Sequence, residues 1–232
     1  REIAGLKAAF SKAVEWQILP ANPIANTKLL RIDRKGLARY LTNDEELRLR
    51  AALRDRQENH RAARERANAG RIERGYPLMP KYVEDEYTDH LTPMVILSLN
   101  TGIRRGELFS LRWADIDLER AQLVVKGSGA KSGQTRHIPL NSEAIDCLRR
   151  WARSNLADPN SFLFEGKDGR VRTDVKTAWR KLLVAASITG FRWHDQRHHF
   201  ASRLVSAGVD LNTVRELLGH SDIKMSLRYA HL

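Results

Sequence analysis

A single cysteine, Cys147, stands in 232 residues. That scarcity excludes an internal disulfide framework and a zinc site built on several thiolates, and it fits a reducing, cytoplasmic setting. Long apolar runs are missing too. The longest, such as Met94 to Leu97 and Leu182 to Ala186, are core-sized and far short of the ~20 residues a bilayer span requires. No signal-peptide pattern opens the chain, which starts at Arg1 without a methionine, as a fragment would. Acidic residues are outnumbered: 28 Asp and Glu face 40 Lys and Arg, and the formal charge of +12 points to a polyanionic partner. The remainder is ordinary for a globular protein, with enough length for one full domain and a piece of another.

Residues 1–19 carry Ile3, Leu6, Ala9, Phe10, Ala13, Val14 and Ile18 close to a 3.6-residue period, which predicts a helix ending before Pro20. The segment that follows, through Tyr40, has Asn22-Pro23, Asn26-Thr27 and a basic run from Arg31 to Arg39, and reads as a linker. Thr42-Asn-Asp-Glu45 is a capping box, so a helix begins there. Its apolar face uses Leu47, Ala51 and Leu53 and then stops. Residues 54–74 hold seven arginines and four acids with almost no large apolar side chain, which marks a solvated extension or insertion.

Thr92-Pro93 reads as an N-cap and first helical residue for a short buried helix that ends at Thr101-Gly102. Gln122 to Val125 and Arg136 to Leu140 are β-like runs around a glycine-rich turn, a hairpin. Helices are expected from the Asn141 cap to about Arg153, from Thr173 or Asp174 to about Ala186, from His194 to Ala207, from the Asp210 cap to Gly219, and from Ser221 or Asp222 to the end. The fold class that follows is mainly α with a small antiparallel β-sheet (α+β). Trp16, Trp113, Trp151, Trp179 and Phe200 fall at core or half-core positions.

Five of the eight histidines, His194, His198, His199, His220 and His231, lie in the last 39 residues. His194 and Arg197 share a helix face. His194 and His198 have a spacing that a metal could use, but the glutamate of H-E-x-x-H and any nearby thiol are missing, so no metal and no cofactor is expected. Thr101-Gly-Ile-Arg-Arg-Gly-Glu-Leu108 places Arg104 after a buried helix and a glycine turn, with Glu107 steadying the next helix. A guanidinium suits phosphate because its planar fork donates two hydrogen bonds and keeps its charge. Leu217-Leu-Gly-His220 sets a histidine at a helix end, and Tyr229 follows. Two arginines, two histidines and a tyrosine suggest phosphoryl transfer.

These four segments, with His194-Asp-Gln-Arg-His-His-Phe-Ala-Ser and Arg228-Tyr-Ala-His among them, resemble in order the boxes of the tyrosine recombinases, the phage-integrase family. The resemblance covers about residues 41–232, the catalytic domain. Residues 1–26 are similar to the last helix of the family's core-DNA-binding domain, whose remainder would lie upstream of Arg1, and 27–40 to the linker. By that resemblance Arg104 is the first catalytic arginine, His194 and Arg197 the histidine-arginine pair, His220 the next histidine and Tyr229 the nucleophile, with Glu107 and His198 in support. The family's lysine on the hairpin corresponds to Lys131, eight residues before Pro139, with Lys126 the nearby alternative.

The implied reaction is transesterification. Tyr229 attacks a DNA phosphate with help from His194, the arginines and His220 stabilise the charge on the nonbridging oxygens, and Lys131 protonates the departing 5′ oxygen. The 3′-phosphotyrosine keeps the bond energy for rejoining. Double-stranded DNA and a homotetramer on it are the implied partners, in a bacterial cytoplasm. Integration or excision of a phage or mobile element is the implied role, against two alternatives: DNA relaxation of the type IB topoisomerase kind, and a DNA-binding module without catalysis. Residues 55–90 exceed the family's usual connection, and only three residues follow Tyr229 where relatives carry a tail that docks on a neighbour.

Overall fold

The capping box at Thr42 forms as its sequence predicts: Thr42 Oγ1 accepts from the Glu45 amide (3.2 Å) and Glu45 Oε2 from the Thr42 amide (2.9 Å). It starts α2 (Asn43–Glu73), a helix of 31 residues. At 1.5 Å per residue α2 is roughly 45 Å long. Its first half buries Leu49, Ala52 and Leu53, and its second half buries only Asn68. Three arginines at and beyond its middle, Arg56, Arg61 and Arg64, are nevertheless engaged, because residues 76–90 return along the helix. Arg61 donates to Val83 O (2.9 Å), Arg64 to Tyr82 Oη (3.0 Å), and Arg56 pairs with Asp89 (2.8 Å). Asn68 clamps the backbone of Met79, giving to its carbonyl and taking from its amide, both at 2.9 Å.

The computed structural model describes residues 2–28, 38–127, 133–155 and 158–231. They belong to two compact units, Arg1–Gly36 and Leu37–Leu232. The first unit holds α1 (Glu2–Glu15), shorter than the periodicity suggests because Gln17 turns the chain with a φ of 59°. Asn22 then bonds back to Lys7 O (3.1 Å) and Ser11 Oγ (3.0 Å). Trp16, expected in a core, is 66% exposed. The polar turns that fold back on α1 form no second layer over its apolar stripe.

In the second unit the mostly apolar α3 (Leu91–Thr101) is buried along its whole length, and its polar Asn100 and Thr101 side chains bond back to Ile96 O and Leu97 O. It starts before the expected Thr92-Pro93 cap: Asp89 accepts from the Leu91 amide (3.0 Å), which puts Pro93 in the first turn, where its missing N–H costs nothing. After α4 (Arg105–Ser110) come β1 (Ile116–Asp117), β2 (Gln122–Val125) and β3 (Arg136–Pro139), an antiparallel sheet in the order β1-β2-β3 with Leu123 opposite Ile138 and Val125 opposite Arg136. Then follow α5 (Ser142–Asn155), α6 (Lys176–Ala185), α7 (Asp195–Ser206) and α8 (Leu211–Leu218). Side chains of Asn141 and Asp210 cap α5 and α8 as their sequences suggest, whereas α6 starts one residue later than expected, after Val175, with Asp174 accepting from the Val175 and Lys176 amides. Helices α5 and α7 pack on α3, α6 on α2, and α8 on both α7 and β3. Trp113, Trp151 and Trp179 are in the core, and Phe200 is half-buried.

The expected last helix is instead two 3₁₀ turns, Ile223–Met225 and Leu227–Tyr229. Asp222 caps the first, and Ser226, wholly buried, interrupts the run by turning its hydroxyl inward. This tight path lays Tyr229 against Ala201, Val214 and Leu218, where it is 1% exposed.

Leu97, fully buried in α3, supplies a test of where the core sits. Leu97→Ala is expected to lower unfolding free energy by ~2–5 kcal/mol in urea titration, whereas Val184→Ala, at a position 75% exposed, should stay within ~0.5 kcal/mol of the parent.

Candidate active site

The site is organised by the C-terminal end of α8. Gly219 takes the left-handed conformation (φ 61°), and the turn closes as a Schellman motif: the His220 amide donates to Arg215 O (3.0 Å) and the Gly219 amide to Glu216 O (2.9 Å). That leaves the carbonyls of Leu217, Leu218 and Gly219 without helical partners. Each accepts from a different arginine. Arg136 Nε reaches Leu217 O (3.0 Å), Arg197 Nη2 reaches Leu218 O, and Arg104 Nη2 reaches Gly219 O (3.0 Å). The negative end of a helix suits three cations.

Glu107 joins two of them from the other side. Its carboxylate accepts from Arg104 Nη1 (2.9 Å) and from both terminal nitrogens of Arg136 (3.1 and 2.6 Å), and its second oxygen also caps the Arg104 amide (3.0 Å). Burial pushes this carboxyl up, but the bonds from Arg136 and Arg104 outweigh burial and hold it below the usual range. Glu107 thus stands in the first turn of α4 with its carboxylate on the backbone amide of Arg104.

Arg197, on the first turn of α7, also donates to Gly102 O (2.9 Å) at the end of α3. Gly102 has a φ of 59°, and a Cβ there would stand 2.5 Å from Phe200 Cδ1, so glycine permits both the turn and the close approach of α7. Burial, followed by the charges of Arg104 and Arg136, brings the Arg197 pKa down to about 9. At the next residue of α7, His198 Nδ1 lies 2.5 Å from Tyr229 Oη. His198, and not His194, is therefore the hydrogen-bond partner of the tyrosine. His194 precedes the first residue of α7 without a side-chain cap bond and stands edge-on to His198, with ring centroids 5.2 Å apart. His220 is held by Ser226 Oγ, 2.8 Å from its Nδ1.

Burial and neighbouring guanidinium charge keep these imidazoles neutral. The pKa of His220 falls to about 3 through burial, then Arg197 and Arg104. That of His198 falls to about 4 through burial, then His194 and Arg228, and that of His194 is lowered by burial and Arg197. Burial raises the Tyr229 phenol.

Arg104, His194, Arg197, His198, His220 and Tyr229 thus line one cavity of about 400 Å³. A wider groove of about 740 Å³ runs between α2, α3 and α5. Three of its four arginines are already engaged: Arg50 by Glu46 and Glu143, Arg61 by backbone carbonyls and Arg150 by Asp85 O. We place the chemistry in the smaller cavity, where guanidiniums, imidazoles and a hydroxyl converge. Lys131 lies outside the described residues. Lys126 is bound to Asp115 at 2.5 Å, and His199 is buried between the Leu41 amide (3.3 Å) and Glu46 (3.2 Å).

Two members of the site have no counterpart in the sequence reading, Arg136 and Ser226. For Arg136 a signal exists: β3 alternates in burial, and an arginine occupies the inward phase with Ile138. Ser226 carries none, because a serine near a chain end is ordinary until a fold turns it inward.

Residues 79–232 match the model of the phage integrase family. The chain is 32% identical over 169 residues to the integrase of Salmonella phage P22, covering 67% of this chain and 43% of that protein. It is 38% identical over 136 residues to the tyrosine recombinase XerC of Xanthomonas axonopodis pv. citri (strain 306), covering 57% of this chain and 44% of that one. The chain thus spans less than half the length of these two relatives. Its fold is similar to that of the Tn1549 transposon integrase solved with circular intermediate DNA, with a TM-score of 0.65 at 23% identity over 96% of this chain and 71% of that one. With its arginines, histidines and tyrosine gathered in one cavity inside the matched segment, the chain belongs to the phage integrase family.

Proposed function

We propose that this chain is the strand-cleaving part of a site-specific DNA recombinase, which breaks and rejoins DNA through a 3′-phosphotyrosine for the integration or excision of a phage or mobile element. The observation that carries this reading is the bond between the Tyr229 hydroxyl and a neutral imidazole inside a cavity walled by Arg104 and Arg197. A phenol, ordinarily titrating near ~10, needs such help to act as a nucleophile at neutral pH. His198 Nδ1, unprotonated, accepts the phenolic proton as Oη attacks phosphorus. Charge gathers on the nonbridging oxygens of the five-coordinate phosphorus, where Arg104, Arg197, His194 and His220 donate. The bond from phosphorus to the 5′ oxygen breaks, and that oxygen takes a proton from Lys131. A free 5′-hydroxyl reverses the sequence to rejoin a strand.

The charge of +12 supports a duplex DNA partner, held largely through phosphate contacts. The DNA complex of the Tn1549 integrase supports the same partner. Residues 1–26 are then the end of a DNA-binding domain, 27–40 the linker and 41–232 the catalytic domain, which acts as a tetramer on DNA in the cytoplasm. Relatives named as integrase and recombinase favour this reading over simple relaxation. Among the described residues no helix is long and apolar enough to cross a membrane.

The test uses a library of nicked duplexes randomised on both sides of the nick, from which covalent adducts are recovered and sequenced. The parent should enrich one site, and Tyr229→Phe should bind DNA yet yield no adduct. An adduct in that variant would exclude Tyr229 as the nucleophile.

On the enriched site, Lys131→Ala should cut ~10²-fold more slowly and recover with a 5′-bridging sulfur, whose thiolate departs without a proton, while Lys126→Ala cuts normally. Equal loss in both variants, unrelieved by sulfur, would remove the lysine assignment.

The imidazoles set a pH dependence. His198 and His220, with pKa values lowered to about 4 and about 3, bind protons in the unfolded chain below ~6.5 while the folded protein stays neutral. Stability is therefore complete above ~6.5 and falls as the pH drops toward the folded values. Melting temperature should decline between neutral and acid pH, less so in His220→Asn, and less so with DNA bound, since phosphate favours the protonated rings.

A further inference from the structure

We propose that Arg136 is a positioning residue for strand cleavage, setting the catalytic Arg104 and the turn that carries His220 from a buried position behind both. The inference rests on the functional reading above. Arg136 is 8% exposed, and a guanidinium in that position demands partners for its donors. It finds them on two elements. Both terminal nitrogens bind the Glu107 carboxylate, and Nε binds Leu217 O. The first contact holds the same carboxylate that Arg104 uses, so Glu107 is fixed from behind while Arg104 faces the cavity. The second seizes the last turn of α8 one residue before the carbonyl taken by Arg197 and two before that taken by Arg104.

Gly219 presses on this guanidinium. A Cβ at Gly219 would lie 3.0 Å from Arg136 Cδ and 3.1 Å from Nη1, so the turn leading to His220 is moulded on the arginine. Arg136 also begins β3, five residues after Lys131 and opposite Val125. One side chain thereby ties the strand below the hairpin, the helix of Arg104 and the histidine turn into one frame. Lysine cannot replace it, since one ammonium cannot span a carboxylate and a carbonyl at fork geometry.

A positioning role differs from a structural one in which substrate it affects. Arg104 is set to offset charge on a nonbridging oxygen. If Arg136 works through Arg104, its loss should slow cleavage of a phosphodiester far more than cleavage of a neutral methylphosphonate at the same position. With the parent's enriched site in nicked form, Arg136→Lys should reduce single-turnover cleavage of the phosphodiester by ~10–100-fold, the usual effect of losing a residue behind the reacting shell. DNA affinity should stay near the parent's, melting temperature should fall because the fork's buried acceptors lose a donor, and the methylphosphonate rate should change little. Equal losses on both substrates, or cleavage at the parental rate, would overturn the proposal while leaving the parent's adduct and the functional reading intact. No adduct from the parent would instead sink that reading, and this inference with it. Should Arg136→Lys fail to fold, Glu107→Gln loosens the same fork from its other end and carries the same expectation and the same overturning results.

Discussion

Three consecutive carbonyls at the end of α8, each held by a different arginine, are the contact on which the rest of the site depends. A helix end leaves such groups unpaired, and burying them without donors is costly. Here α4, β3 and α7 each send one guanidinium to the same place. The arrangement gives the helix end its partners and, in the same stroke, collects positive charge beside the tyrosine. Gly219 makes it possible, because its left-handed backbone aims the carbonyls outward and leaves room for Arg136.

The electrostatic consequence is a cavity prepared for an anion. Glu107 pairs with Arg104 and Arg136 while Arg197 bonds only backbone carbonyls, so positive charge is in excess near the cavity. The neighbouring histidines respond by staying neutral, with His220 and His198 lowered to about 3 and about 4 chiefly by burial and then by positive neighbours. A neutral His198 can accept the proton that an attacking phenol must lose. Bringing a phosphate into the cavity would relieve the repulsion and raise the imidazoles, so binding and protonation are coupled in the direction the reaction uses.

Away from the site, α2 shows how a charged segment can be structural. Its far half has no apolar face, yet Arg56, Arg61, Arg64 and Asn68 hold the returning chain by side-chain bonds to backbone and to Tyr82 and Asp89. Those three arginines are engaged within the protein, so part of the charge of this mixed-sign segment is structural.

Much of this was legible in the residues themselves. Capping at Thr42, Asn141 and Asp210, the mostly apolar α3 and the hairpin strands depend on local chemistry, which a few neighbouring residues determine. The motif residues Arg104, His194, Arg197, His220 and Tyr229 were legible as a set because their types and order resemble one family. What needed the fold were the pairings. Tertiary packing turned the last helix into two 3₁₀ turns, put His198 instead of His194 on the tyrosine, and brought Arg136 and Ser226 into the site. Each of these depends on contact between segments far apart in the chain, and no local pattern encodes which buried donor will meet which acceptor.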